Sequence, residues 1–381
     1  MVAREAGGPS HEPEGAAIEE TRAAPRARHT RPETASDLAM RRGTLAMIAS
    51  GVLAIGSAHA QSSGGIPTGA FGTGEAKARP EHVEEDLIGT PRDVRTLPRA
   101  PTLPDLTHRA PELSFEHTVA SIAPHGQTDP TAARLTAHLA HFDFELPLIP
   151  SRLYAGAEWG FGAGRGPAAP DGAFVSGQPQ VFARAVHSFS HERYSVGAGL
   201  GLSPPVFRYS DTSEAERLDE GETSLLLSVI RPWDLSMFLD RRFTARPWVD
   251  LRVALRHLVV QARLGLDVNL RTSETSCSPA AICDRAGQVQ VVSLGTLFVG
   301  WQPRKELAFG IEAWEVYLLQ TSLPVSDRER STFALSPSVR FFYRWVEPAI
   351  SVLFPVGAPL LNAVESYYAV RLDLRVWFDS R

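Results

Sequence analysis

From Leu113 to the end of the chain, apolar and polar residues alternate with a period of two. The last segment shows it most clearly: Tyr368, Val370, Leu372, Leu374, Val376 and Phe378 alternate with Tyr367, Ala369, Arg371, Asp373, Arg375 and Trp377. A period of two belongs to a β-strand, whose successive side chains point to opposite faces. The pattern predicts strands over 113–122, 131–146, 151–162, 178–190, 193–203, 222–231, 247–271, 287–301, 305–319, 332–346, 347–357 and 364–378. That makes twelve, within a range of ten to fourteen. In a soluble sandwich the apolar face would meet a core. In a membrane barrel it would meet lipid while the charged face lined a lumen.

Loop lengths separate the two. Longer connections (163–177, 204–221, 272–286) follow odd-numbered strands and shorter ones (147–150, 191–192, 302–304) follow even-numbered strands. An up-and-down barrel with both chain ends on one side has this parity, with long loops outside and short turns in the periplasm. Trp233, Trp248, Trp301, Trp345 and Trp377 fall at strand ends on the short-turn side, which predicts one interfacial girdle. Two features strain the scheme. The apolar phase of 247–271 flips near His257, from Val249, Leu251 and Val253 to Leu258, Val260 and Ala262, so a bulge reorients one long strand or a turn divides it. The connection 232–246 is long for a periplasmic turn and has room for a short helix around 235–242.

The first 112 residues lack this alternation. Residues 1–39 are rich in Ala, Pro, Glu and Arg and are expected to be disordered or a misassigned leader. Met40-Arg41-Arg42, the apolar stretch Leu45 to Ile55, and Ala58-His59-Ala60 have the three parts of a secretory signal peptide over 40–60. Residues 61–112 hold seven prolines and mixed charge, the composition of a flexible linker, and the barrel is expected over 113–381. The formal charge of −5 gives no basic footprint for a nucleic acid.

Signal peptide, alternating strands, tryptophan girdle and the terminal Val376-Trp377-Phe378 together resemble the outer-membrane β-barrel proteins of Gram-negative bacteria. The resemblance covers 113–381 and is architectural. It implies an all-β, transmembrane, antiparallel up-and-down barrel in the cell outer membrane, with the lipid bilayer and the barrel assembly machinery as partners. Such barrels usually end on the aromatic residue, whereas Asp379-Ser380-Arg381 follow Phe378 here.

Candidate chemistry is sparse. Cys277 and Cys283 lie in one loop of an exported chain and are expected to form a local disulfide. His138 and His141, three apart on a strand, face opposite sides and do not converge on an ion. Gly160, Gly162, Gly164 and Gly166 run into Pro167 and Pro170 instead of a helix, so they are read as a loop and not as a phosphate cradle. The acidic stretch from Asp211 to Glu222 is read as a solvated loop. No nucleophile elbow or Ser/His pair can be placed on the barrel, so no enzyme activity, cofactor or metal is expected. The charges of the inner face remain as candidate lumen groups: Asp250, Arg252 and Arg256; Arg340 and Arg344; Arg371, Asp373 and Arg375. Rings of charge in a pore set solute preference. The expected function is a passive channel or solute-uptake pore with an arginine filter favouring anions or other small solutes. The alternative is a non-conducting structural or surface-interaction barrel whose interior charges form salt bridges.

Overall fold

The computed structural model describes residues 97–124, 134–165, 172–190, 192–208, 213–272, 289–320, 326, 329–357 and 364–378. In chain order the elements are β1 (Glu112–Pro124), β2 (Leu135–Ile149), β3 (Leu153–Arg165), β4 (Ala173–Ser176), β5 (Gln180–Phe189), β6 (Tyr194–Ser203) and helix α1 (Glu214–Ile230). A 3-10 segment (Pro232–Phe238) follows. The chain continues with β7 (Arg242–Ala254), β8 (Leu258–Arg271), β9 (Val289–Arg304), β10 (Leu307–Gln320), β11 (Ser331–Phe341), β12 (Val346–Pro355) and β13 (Val364–Trp377). Each strand runs antiparallel to its neighbours. β1 pairs with β2 on one side and β13 on the other, Glu112 lying opposite Glu145 and Trp377, so the sheet closes on itself. β4 pairs with the far half of β3 and β5 with its near half, so these two share one place in the ring. The wall is a closed twelve-stranded barrel.

The alternation sets the two surfaces. On β13, Tyr368, Val370, Leu372 and Leu374 are exposed outward while Arg371, Asp373 and Arg375 are buried inward. Ile311, Val249, Leu200 and Val181 likewise stand exposed on the outside of other strands. Apolar side chains outside and charged ones inside reverse the arrangement of a soluble core.

Two expected strands are corrected, and the corrections cancel in the count. Residues 222–231 lie in α1 and its cap, not in a strand. Ser213 caps the helix by accepting from the Glu216 N–H at 3.1 Å, the Ser-x-x-Glu spacing of a helix start, and Pro232 follows the last turn. From Leu226 onward α1 is buried inside the barrel on every side, so its apolar run has no stripe that would separate helix from strand. The segment 247–271 is two strands, β7 and β8, joined by a hairpin in which the Leu255 N–H donates to the Leu258 carbonyl at 2.7 Å. A two-residue turn pairs odd positions of one strand with even positions of the next, as Val253 with Val260 and Leu251 with Ala262. The phase flip near His257 is the signature of that hairpin.

With both corrections the parity has no exceptions. Connections 150–152, 190–193, 255–257, 305–306 and 342–345 are short, and those after the other wall strands are longer, the longest being 204–241. Ser151, Ser190 and Arg344 take left-handed φ values of 60°, 53° and 53° in the short turns, where glycine or asparagine is usual. A third correction concerns the expected linker. Its last part, 97–111, is packed with Leu97, Ala100, Leu103 and Leu106 buried. Residues 1–96, with the expected leader, signal peptide and first part of the linker, lie outside the described residues.

Candidate functional site

Two internal segments occupy the lumen. From the long-loop end, α1 descends along β3. Extra methyl groups at Gly160 and Gly162 would meet the Met237 sulfur at 2.6 Å and the Leu227 side chain at 2.6 Å. The alternating glycines of β3 are therefore a groove in the wall that seats the helix and the 3-10 segment. Below them Trp233 stacks on Trp314 of β10 with ring centroids 4.2 Å apart. From the short-turn end, 97–111 packs Leu97 against Ala254 and Val259, Leu103 against Phe298, and Leu106 against Tyr154 and Val186.

Ion pairs fasten both segments to the wall. Asp105 takes Arg99 at 2.9 Å and Arg252 of β7 at 3.1 Å, and accepts from the Thr107 N–H and hydroxyl. Burial alone would raise the Asp105 carboxyl, but the two guanidiniums outweigh it and hold it well below the usual carboxylate range. Arg99 also meets Glu112 at 3.0 Å, and Arg375 of β13 donates to the carbonyls of Ala100 and Pro101. Thr102 donates to Glu312 and accepts from the Trp314 indole at 3.1 Å. In the upper segment, Arg231 bridges Asp234 and Glu116 of β1, each at 2.6 Å. Arg246 of β7 reaches Asp234 at 2.5 Å and Asp267 of β8 at 2.6 Å. Asp234 is held low as Asp105 is, with Arg231 and Arg246 overcoming the effect of burial.

Between the segments lies a chamber of about 80 Å³, room for a few waters. Six carboxylates and four guanidiniums line it. One ligand atom each from His141, Glu158 and Asp234 lies within 4.8 Å of the others, and this is where the described residues could hold a metal.

Of the charges predicted for the lumen, Asp250, Arg252, Arg340, Arg371, Asp373 and Arg375 are buried inside. They are paired. Arg340 meets Glu347 at 2.8 Å and Asp373 at 2.9 Å, Arg371 meets Glu312 at 3.4 Å, and Asp250 takes Arg263 at 2.7 Å and the Trp248 indole at 3.0 Å. Arg256 and Arg344 are corrections: both are exposed in short turns, because the strands carrying them end before the alternation was expected to stop. Of the five expected girdle tryptophans, Trp301 and Trp345 are exposed at the short-turn end. Trp377 is half-buried there, donating to Glu112 at 3.0 Å with Arg99 over its ring. Trp233 and Trp248 depart from the expectation. Trp233 belongs to the internal segment and Trp248 points inward over Gly199. Cys277 and Cys283 lie outside the described residues. Arg99, Thr102 and Asp105 were not legible in the sequence, because their partners are far away along the chain, Glu312 and Trp314 standing 210 and 212 positions from Thr102. The alternating small residues of β3 were the available signal for the helix seat.

No protein-family model matches the chain, and no curated protein matches it. Solved structures similar to it include an outer membrane channel from Pseudomonas putida F1, at 13% identity over 71% of this chain and 96% of that one, TM-score 0.49. The KdgM porin is 10% identical over 70% of this chain and 99% of its own, TM-score 0.38. The β-domain of the Bordetella autotransporter BrkA is 10% identical over 71% and 100%, TM-score 0.39. These likenesses concern shape and say nothing of what the lumen carries.

Proposed function

We propose that this chain is an outer-membrane barrel that forms a pore for small solutes, held closed in the described conformation by residues 97–111 and by α1 with its 3-10 segment. The supporting observation is a closed wall, apolar outside and charged inside, whose ring of strand ladders is complete without either internal segment. A lipid bilayer is the surrounding that such an exterior fits, and assembly machinery of the outer membrane is the matching route of insertion. The segments are held by apolar packing against the wall and by ion pairs and hydrogen bonds, the latter being contacts that water could replace in an opened lumen. The inward arginines Arg184, Arg246, Arg252, Arg340, Arg371 and Arg375 each face a carboxylate or a carbonyl, so they serve as anchors in the closed state, and an anion preference is not part of the proposal.

The second reading, a non-conducting barrel stiffened by its interior, draws on the same buried ion pairs. Planar-bilayer recording separates them. The purified protein should be mostly silent with brief openings, and a chain truncated to begin at Glu112 should open more often. Silence from both, and from a folded barrel that also lacks α1 and the 3-10 segment, would reject the pore and leave the structural barrel. Sucrose-gradient fractionation and a shift in electrophoretic mobility on boiling test the membrane location separately.

A further inference from the structure

We propose that the chamber binds one divalent transition-metal ion, with His141 of β2, Glu158 of β3 and Asp234 of the 3-10 segment as ligands. Three observations converge on it. The donor atoms lie within 4.8 Å of one another, a spread that a small shift closes onto one ion. His141 is 4% exposed and its Nε2 has no hydrogen-bond partner, standing 3.6 Å from a Glu158 oxygen, beyond hydrogen-bond length. A buried imidazole nitrogen left in this way lacks the partner that nearly all such groups have. Directly opposite Glu158 in the β2–β3 ladder stands Asp143, and its Oδ1 is also buried without a partner.

Arg231 and Arg246 each hold one Asp234 oxygen, but a carboxylate offers about four acceptor positions and retains room for an ion. One imidazole nitrogen with carboxylate oxygens is a donor set for Zn²⁺ or a neighbouring first-row ion, not for Mg²⁺ or Ca²⁺, which prefer oxygen alone. Because His141 and Glu158 belong to the wall and Asp234 to the internal segment, the ion would clamp one to the other. The inference rests on the chamber alone and stands whether or not the barrel conducts.

The test uses tag-free full-length protein, folded in detergent, stripped with a chelator and dialysed against Zn²⁺. About one Zn²⁺ per barrel should be retained in the presence of excess Mg²⁺, and X-ray absorption should show nitrogen and oxygen neighbours. His141→Ala, with folding checked by its mobility shift on boiling, should lose the ion. Wild type that retains no zinc, zinc surrounded by sulfur from Cys277 and Cys283, or equal retention by a folded His141→Ala variant would each overturn the proposal. Should that variant fail to fold, the absorption spectrum of the wild-type protein decides.

Discussion

Asp105 shows what a single residue does in this interior. It is 3% exposed, yet it takes two guanidiniums and two hydrogen bonds from Thr107, so the buried charge is matched on every side. Removing one member of such a group leaves its partners charged and unpaired, at a cost of about 3 to 5 kcal/mol where the site stays dry. Asp105→Asn is therefore expected to lower the temperature at which the barrel loses its mobility shift, and to raise the frequency of channel openings as 97–111 loosens. An unchanged melting temperature together with unchanged openings would show that Asp105 fastens nothing. The sign of the pH effect follows from the same contacts. A carboxylate held below its unfolded value stabilises fully above that value, about pH 4, and loses its contribution only as pH falls through the lower folded value. Asp105 and Asp234 are both of this kind, so their own ionisation should not change between pH 8 and pH 5. In a His108→Asn background, which removes the imidazole beside Asp105, melting temperatures with Asp and with Asn at position 105 should stay a constant distance apart across that interval.

At the scale of elements, what was legible in the sequence depended on whether a strand saw two different surroundings. β13 has an apolar outside and a charged inside, and its alternation gave both faces correctly, down to Arg371, Asp373 and Arg375. Helix α1 sees one surrounding, because the barrel encloses its C-terminal half. Its run Leu225-Leu226-Leu227-Ser228-Val229-Ile230 then reads equally well as a strand. The β7–β8 hairpin was hidden for another reason: its turn residues Arg256 and His257 are not turn formers, and the turn is steadied from next door, where the Gln302 N–H donates to the His257 carbonyl at 2.8 Å. The chamber ligands were the least legible, since His141, Glu158 and Asp234 become neighbours only when ring closure and the helix seat are both in place. The seat can be tested by itself. A side chain at Gly160 clears the nearest backbone atom at 3.6 Å but collides with the Met237 sulfur. Gly160→Val is expected to leave the wall folded while unseating the 3-10 segment. Limited proteolysis should then cut the 204–241 connection faster than in wild type, with the boiling shift retained. Equal cleavage rates would show that the groove does not hold the segment.

For the whole molecule, the two obstructions lie in series along one axis, and this dictates how their removal should combine. Residues 97–111 close the short-turn end against Ala254, Val259, Tyr154 and Phe298, while α1 and the 3-10 segment close the other end against β3. The segments touch through the wall at Trp314, whose ring stacks on Trp233 and whose indole donates to Thr102, so each also steadies the other. Flow through barriers in series is limited by whichever remains. Both can be removed without cutting the barrel: the wall begins at Glu112, and Ser203 of β6 lies opposite Thr244, two residues into β7, close enough for a short turn to replace 204–241. Truncation before Glu112 should raise the open frequency modestly by loosening the shared contact at Trp314, and replacement of 204–241 should do the same. The two together should give a permanently open pore whose conductance exceeds the sum of the single changes. A single change that opens the pore fully would assign the gate to that segment alone. A doubly altered barrel that folds, shows its mobility shift and remains silent would mean that the wall itself closes the lumen, and the pore reading would then fall.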